Sequence, residues 1–221
     1  MLASYLDSTN LKADARTVDI QSLCDEAKRW KMAAVCINPG RVALASRCLE
    51  GTAVQVCTVI GFPLGAGLAT VKVQEASQAL DAGASELDMV INIGAVKDGD
   101  YSLVEREILA LQVLKQDFPF ILKVIVETAL INKEQLARLT ELVGLSGADY
   151  IKTSTGFASR GASLEDLEII KGHLRPGLKI KASGGIRDLN WALQLISAGA
   201  HRIGSSSAGL LMEKYTAGEK D

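Results

Sequence analysis

Lys152 stands in the run Gly-Ala-Asp-Tyr-Ile-Lys-Thr-Ser-Thr-Gly-Phe, residues 147 to 157. It ends a short β-type stretch and is followed at once by three hydroxyl side chains, Thr153, Ser154 and Thr155, and by Gly156. An inward-facing strand end ordinarily holds an apolar residue, because burying an ammonium is costly. Desolvation also lowers a lysine pKa and yields a neutral amine that attacks carbonyls and forms a Schiff base. Alone, Lys-Thr-Ser reads as a surface lysine beside a polar turn. A second lysine, Lys181 of Leu-Lys-Ile-Lys-Ala-Ser-Gly-Gly, occupies a matching setting, as if the two were corresponding points on consecutive repeats of one fold. On neighbouring strands about 4.8 Å apart, two ammoniums disfavour being charged together, and one pKa is expected to fall toward neutrality. The alternative is a buried ion pair with a carboxylate.

Asp88 supplies a candidate carboxylate. It lies mid-strand in Glu86-Leu87-Asp88-Met89-Val90-Ile91-Asn92, where alternation puts Asp88, Val90 and Asn92 on one face, with Glu86 on the same face at the opposite mouth. A buried carboxylate needs a partner, so Asp88 is expected to meet Lys152 or Lys181, which also makes it a candidate proton shuttle. Asp7, before Ser8-Thr9, is a weaker candidate that an Asx turn or cap would equally explain. Glu127, ending the fifth strand, could orient a lysine. Lys72 and Glu75 read equally well as an i,i+3 pair on a solvent face. Cys36 ends a strand too, although a core thiol accounts for it.

Two glycine-rich turns follow the last two strands, Ser183-Gly184-Gly185-Ile186 and Gly204-Ser205-Ser206-Ser207. Glycine lets a backbone approach a ligand closely, serine adds donors, and N–H groups at a helix start face an anion. Arg187 adds charge there or is a helix-surface arginine.

These residues need a scaffold that aims strand ends at one cavity. Short β-branched or apolar runs occur at 5–6, 33–37, 54–60, 87–91, 121–126, 150–151, 178–180 and 202–203. Six amphipathic stretches of helical period lie between them, around Ile20, Ala76, Ile108, Leu139, Leu167 and Ala192. Asp19, Thr70, Asn132, Ser163 and Asp188 stand at N-cap positions, and Gly83, Gly147 and Gly199 where a helix turns into the next strand. Strand–helix alternation implies parallel pairing, and eight units imply a single-domain α/β (β/α)8 TIM barrel over residues 1–221. A doubly wound sheet is the rival, but it carries its glycine turn after the first strand, where this chain has Asp-Ser-Thr-Asn-Leu.

The chain has 221 residues, a formal net charge of −2 and 48% hydrophobic residues. No basic tract points to nucleic acid, and no apolar run is long enough to span a bilayer. Four cysteines without CxxC spacing read as reduced thiols of a cytoplasmic protein. His173 and His201 have no companions at ligand spacing, so neither metal nor cofactor is expected. The N-terminus lacks the pattern of a signal peptide, and residues 215–221 are expected to form a flexible tail.

The motifs quoted above, with Leu6-Asp7-Ser8-Thr9, Val35-Cys36-Ile37-Asn38-Pro39, Val59-Ile60-Gly61-Phe62-Pro63-Leu64-Gly65 and Lys123-Val124-Ile125-Val126-Glu127, resemble the deoxyribose-phosphate aldolase family of class I aldolases. The resemblance implies Lys152 as Schiff-base lysine, Lys181 as the lysine that depresses its pKa, and Asp88 as a proton donor and acceptor working with a water. It implies contacts to a phosphosugar substrate from Asp7, Cys36, Thr153, Gly156, Gly184, Gly185, Gly204, Ser206 and Ser207. The activity implied is reversible cleavage of 2-deoxy-D-ribose 5-phosphate to acetaldehyde and D-glyceraldehyde 3-phosphate, in deoxyribonucleotide catabolism. A homo-oligomer, dimer or tetramer, is expected. Ser8 departs from the family, where many members have histidine. A phosphosugar isomerase, a transaldolase or a non-catalytic phosphate-metabolite binding barrel are the other readings of the same turns.

Overall fold

A computed structural model describes residues 2–218. Eight parallel strands close on themselves in sequence order. In chain order the elements are β1 Leu6–Asn10, α1 Thr17–Trp30, β2 Ala34–Ile37, α2 Val42–Leu49, β3 Gln55–Ile60, α3 Ala69–Asp81, β4 Glu86–Val90, α4 Ile93–Asp98 and α5 Tyr101–Gln112. They continue with β5 Ile121–Ile125, α6 Lys133–Leu145, β6 Tyr150–Lys152, α7 Leu164–Gly172, β7 Lys179–Ser183, α8 Leu189–Ser197, β8 Arg202–Ser205 and α9 Ala208–Ala217. β8 pairs with β1 through Asp7 and Gly204, which closes the barrel.

Period-2 alternation sorts the strand residues onto two unlike surfaces. One set, including Leu6, Val35, Val56, Leu87, Met89, Leu122, Val124, Ile151, Ile180 and Ile203, joins the large apolar core between sheet and helices. The other points into the lumen. There only Ala34, Cys36, Cys57 and Val59 form a small apolar cluster, and most of the rest is ionised. Burying aliphatic side chains at roughly 25 cal/mol per Å² therefore stabilises the shell, while the lumen is left for charge.

Four features differ from the sequence expectation. Leu-Asp-Ser-Thr-Asn is not a loop after the first strand but β1 itself, so Asp7 is the second residue of a five-residue strand and lies deep in the lumen. Its polar composition hid it, because the cations that neutralise Asp7 arrive from β7 and β8. α2, α4 and α9 were unforeseen. α2 is only eight residues, although Val42, Ala45 and Leu49 mark its buried face. Among the caps, Asn132, Ser163 and Asp188 each accept a backbone N–H as expected. Asp19 is instead the third residue of α1, where its carboxylate reaches back to the Arg16 N–H, and Thr70 lies inside α3. Of the expected tail, Tyr215 to Ala217 are helical, and 219–221 lie outside the described residues.

Candidate active site

Asp88 is the centre of the lumen. Its Oδ2 accepts from Lys152 Nζ at 2.7 Å and Lys181 Nζ at 2.6 Å. Its Oδ1 accepts from Lys123 Nζ at 2.7 Å and the Cys57 thiol at 3.1 Å. Adjacent strands hold these groups in register: Asp88 opposite Lys123, and Lys152 opposite Lys181. The sequence reading expected Asp88 to meet one of two lysines; it meets both, and a third.

Deeper in the lumen, Lys181 also approaches Asp7 Oδ2 at 2.5 Å, and Arg202 donates to Asp7 Oδ1 at 2.6 Å. Glu86 joins Lys123 at 2.7 Å and Arg202 at 3.2 Å. The linked group holds four cations (Lys123, Lys152, Lys181, Arg202) and three carboxylates (Asp7, Glu86, Asp88), all buried. It is electrically balanced when one lysine nitrogen is neutral.

Burial on its own would raise the Asp7 pKa, but the charges of Lys181, Arg202 and Lys123 hold it at about 2. Burial likewise acts to raise Asp88, and Lys123, Lys152 and Lys181 together keep its carboxyl well below the usual range. Lys181 is pulled down by burial and pushed above the ordinary lysine value by Asp7 and Asp88. The repulsion expected between the two amines is thus outweighed at Lys181 by the carboxylates it touches, and Lys181 is a fixed cation. Lys123 is raised in the same way.

Above this network opens a cavity of about 320 Å³, lined by Lys152, Thr155, Gly156, Phe157, both glycine turns and residues 9–12, the end of β1 and the two residues beyond it. Lys152 is the one lysine of the network that reaches it. Gly156, Gly184, Gly185, Gly204 and Ser206 line it as well. Asp7, Cys36 and Thr153, expected among substrate contacts, do not: Asp7 is held in the ion network, and the Cys36 thiol points to Asp88 at 3.9 Å. The Thr153 hydroxyl bonds the Ser183 backbone through its N–H and C=O. Ser207 is the N-cap residue of α9 outside the lining.

Several residues of the site went unread in the sequence. Lys123 and Arg202 are visible only as charges at inward positions of apolar strands, the same signal that flagged Asp88. Glu127 orients no lysine; its Oε2 accepts from both the N–H and the hydroxyl of Thr155, which fixes the loop after β6. Lys72 and Glu75 are not a solvent-face pair. Lys72 is buried, donating to Glu107 at 2.8 Å and to the Val90 carbonyl at 2.9 Å, while Glu75 accepts from the Gly61 N–H. Gly161 packs so closely on Gly184 that a Cβ there would collide with the Gly184 carbonyl. Cys36, Cys57 and Asp88 also bring ligand-type atoms within 4.8 Å of one another, a grouping of a kind that a metal ion could use. The Asp88 oxygens there are already taken by ammoniums.

A closed (β/α)8 barrel with a lysine at the floor of its C-terminal cavity, over a carboxylate shared with two further lysines, places its candidate site where the barrel class of enzymes builds its active sites. Residues 2–212 match the family described as DeoC/LacD family aldolase, and the chain belongs to that family. It is 47% identical over 216 residues to a deoxyribose-phosphate aldolase of Geobacillus sp. (strain WCH70), covering 98% of this chain and 96% of the relative. It is 49% identical over 207 residues to that of Exiguobacterium sibiricum, covering 93% of each. Among solved structures it is similar to the tetrameric deoxyribose phosphate aldolase of Aeropyrum pernix, with a TM-score of 0.91, 34% identity and coverage of 99% of this chain and 92% of that one.

Proposed function

We propose that this protein is a deoxyribose-phosphate aldolase that cleaves 2-deoxy-D-ribose 5-phosphate reversibly into acetaldehyde and D-glyceraldehyde 3-phosphate, with Lys152 as the Schiff-base residue. One observation carries the assignment of the lysine: of the amines around Asp88, Lys152 alone opens onto the cavity.

In the cleavage direction the Lys152 amine adds to the C1 aldehyde of the open-chain sugar, and water leaves to give a protonated imine. The C3 hydroxyl then gives its proton to a water held by Asp88, the C2–C3 bond breaks, and its electron pair moves toward the iminium nitrogen. This releases D-glyceraldehyde 3-phosphate and leaves an enamine. The same water returns the proton to C2, and hydrolysis of the resulting protonated imine frees acetaldehyde, the amine and the proton taken up when the imine formed. Both the attacking amine and the enamine carry a neutral nitrogen, the state in which the four-cation, three-carboxylate network is balanced. Asp88, which accepts from Lys152 at 2.7 Å, is the carboxylate beside the amine that would hold a water and move this proton, while Lys181 stays charged.

The test is reductive trapping. Acetaldehyde with borohydride should leave an ethyl group on Lys152 in a peptide map, and Lys152→Ala should neither trap nor cleave the sugar phosphate. An unmodified Lys152 in an active enzyme refutes the assignment, and an isomerase, which needs no imine, would give no trapped adduct.

We further infer a homo-oligomeric, cytoplasmic enzyme. Leu64, Leu68 and Val71, each more than half exposed, form an apolar stretch running into α3 that association would cover. Sedimentation giving a monomer at micromolar concentration would refute the oligomer.

A further inference from the structure

Lys12, in the connection between β1 and α1, lines the same cavity as the two glycine turns. The lining contains three cations, Lys12, Lys152 and Arg187, and no carboxylate. Among the described residues no acid lies within ion-pair distance of Lys12 or Arg187. Lys152 is paired with Asp88, which leaves Lys12 and Arg187 as exposed, unneutralised cations on the wall of one open cavity; two such charges suit an anion of more than one charge, and a phosphate monoester at neutral pH carries close to two.

The backbone around Lys12 is fixed. Its carbonyl accepts from Asn38 Nδ2 at 3.3 Å and from the Ala15 N–H at 3.3 Å, and Arg41 donates to the Ala15 carbonyl at 2.9 Å. The next βα unit therefore anchors the connection, which lessens the ordering cost on binding. Because β1 pairs with β8, this connection stands beside the β8–α9 turn. The two nearby helix starts differ. α8 is capped by the Asp188 carboxylate, which accepts from Trp191 N at 2.7 Å, whereas no side chain caps α9. An anion is thus better received at α9, next to Lys12, than at α8.

We propose that Lys12 is a substrate-binding residue that, with Arg187, grips the phosphate from the β1 side and sets the preference for phosphorylated over unphosphorylated sugar. This rests on the reading of the substrate given above. The experiment measures kcat/KM for 2-deoxyribose 5-phosphate and for 2-deoxyribose in the wild type, Lys12→Met and Lys12→Arg, and the inhibition constant of inorganic phosphate. Reductive trapping with acetaldehyde, which carries no phosphate, checks that each variant keeps an intact lysine site.

The expected result in Lys12→Met is a fall on the order of tenfold in the ratio of the two specificity constants, carried by KM, as befits one charge-assisted contact. Phosphate should inhibit more weakly by a similar factor, and Lys12→Arg should restore much of both. A wild type that prefers the phosphorylated sugar, with a Lys12→Met variant that keeps the whole preference, overturns the role of Lys12 alone. A wild type that cleaves both sugars equally overturns the phosphate reading and the role of Lys12 with it.

Discussion

Lys152 and Lys181 occupy the same rung of adjacent strands and donate to one oxygen, Asp88 Oδ2, at 2.7 and 2.6 Å. They differ in what lies beyond: Lys181 has Asp7 behind it, and Lys152 has the cavity in front. Removing the Lys181 charge relieves the repulsion on Lys152 and leaves Asp88 to favour its ammonium. In Lys181→Leu the rate of borohydride trapping should therefore rise at higher pH than in the wild type. An unchanged pH profile would remove Lys181 from the mechanism.

Asp88→Asn leaves three buried lysines and Arg202 facing two carboxylates. Breaking a buried ion pair typically costs about 3–5 kcal/mol. The variant should lose that order of stability in urea unfolding and most of its turnover. Wild-type stability in this variant would show that the lumen is more hydrated than its burial indicates.

Asp7 ties stability to acid. Its folded pKa of about 2 lies below the ordinary carboxylate value of 3.8, so its contribution is fully present above that ordinary value and is lost as pH falls through the folded one. Lys181, raised above its ordinary value, contributes below that value and loses its effect only as pH rises through the folded one. The urea midpoint should be level across neutral pH and fall between about pH 4 and 2. Asp7→Asn should begin lower and show a shallower acid slope, and a slope equal to wild type would contradict the depressed value.

Lys72 and Glu107 form a second buried pair, 2.8 Å apart and away from the cavity. Lys72→Met should destabilise by about 3–5 kcal/mol, whereas the double change with Glu107→Leu should recover much of the loss, because two apolar replacements leave no unpaired charge. A double-mutant cycle by chemical denaturation measures this. Additive losses would refute the pairing.

Gly161→Ala would drive the loop after β6 away from Gly184. Because Gly184 lines the cavity, KM for the sugar phosphate should rise severalfold while trapping by acetaldehyde persists. An unaltered KM would separate that contact from binding.

The barrel was legible because its outward strand faces and helix faces are both apolar with clear periods, and because the lysine and glycine motifs fall at strand ends. Asp88 was legible for a related reason: a carboxylate at an inward position of an apolar strand demands partners. Asp7 was not, since Leu-Asp-Ser-Thr-Asn has turn composition, its strand is made by pairing with β2 and β8, and the cations that neutralise it, Lys181 and Arg202, lie 174 and 195 residues away. Glu127 and Gly161 act through loop contacts that no local pattern encodes, and Lys72 hid its burial behind an ordinary i,i+3 spacing.

The division of labour between the two sheet surfaces bears on how such a molecule can change. Its cohesion resides in the oily mantle outside the staves, so alterations there are graded and repairable one methyl at a time. The ionic axis admits no such gradualism: each member neutralises at least one other, and a viable descendant must exchange opposite signs together.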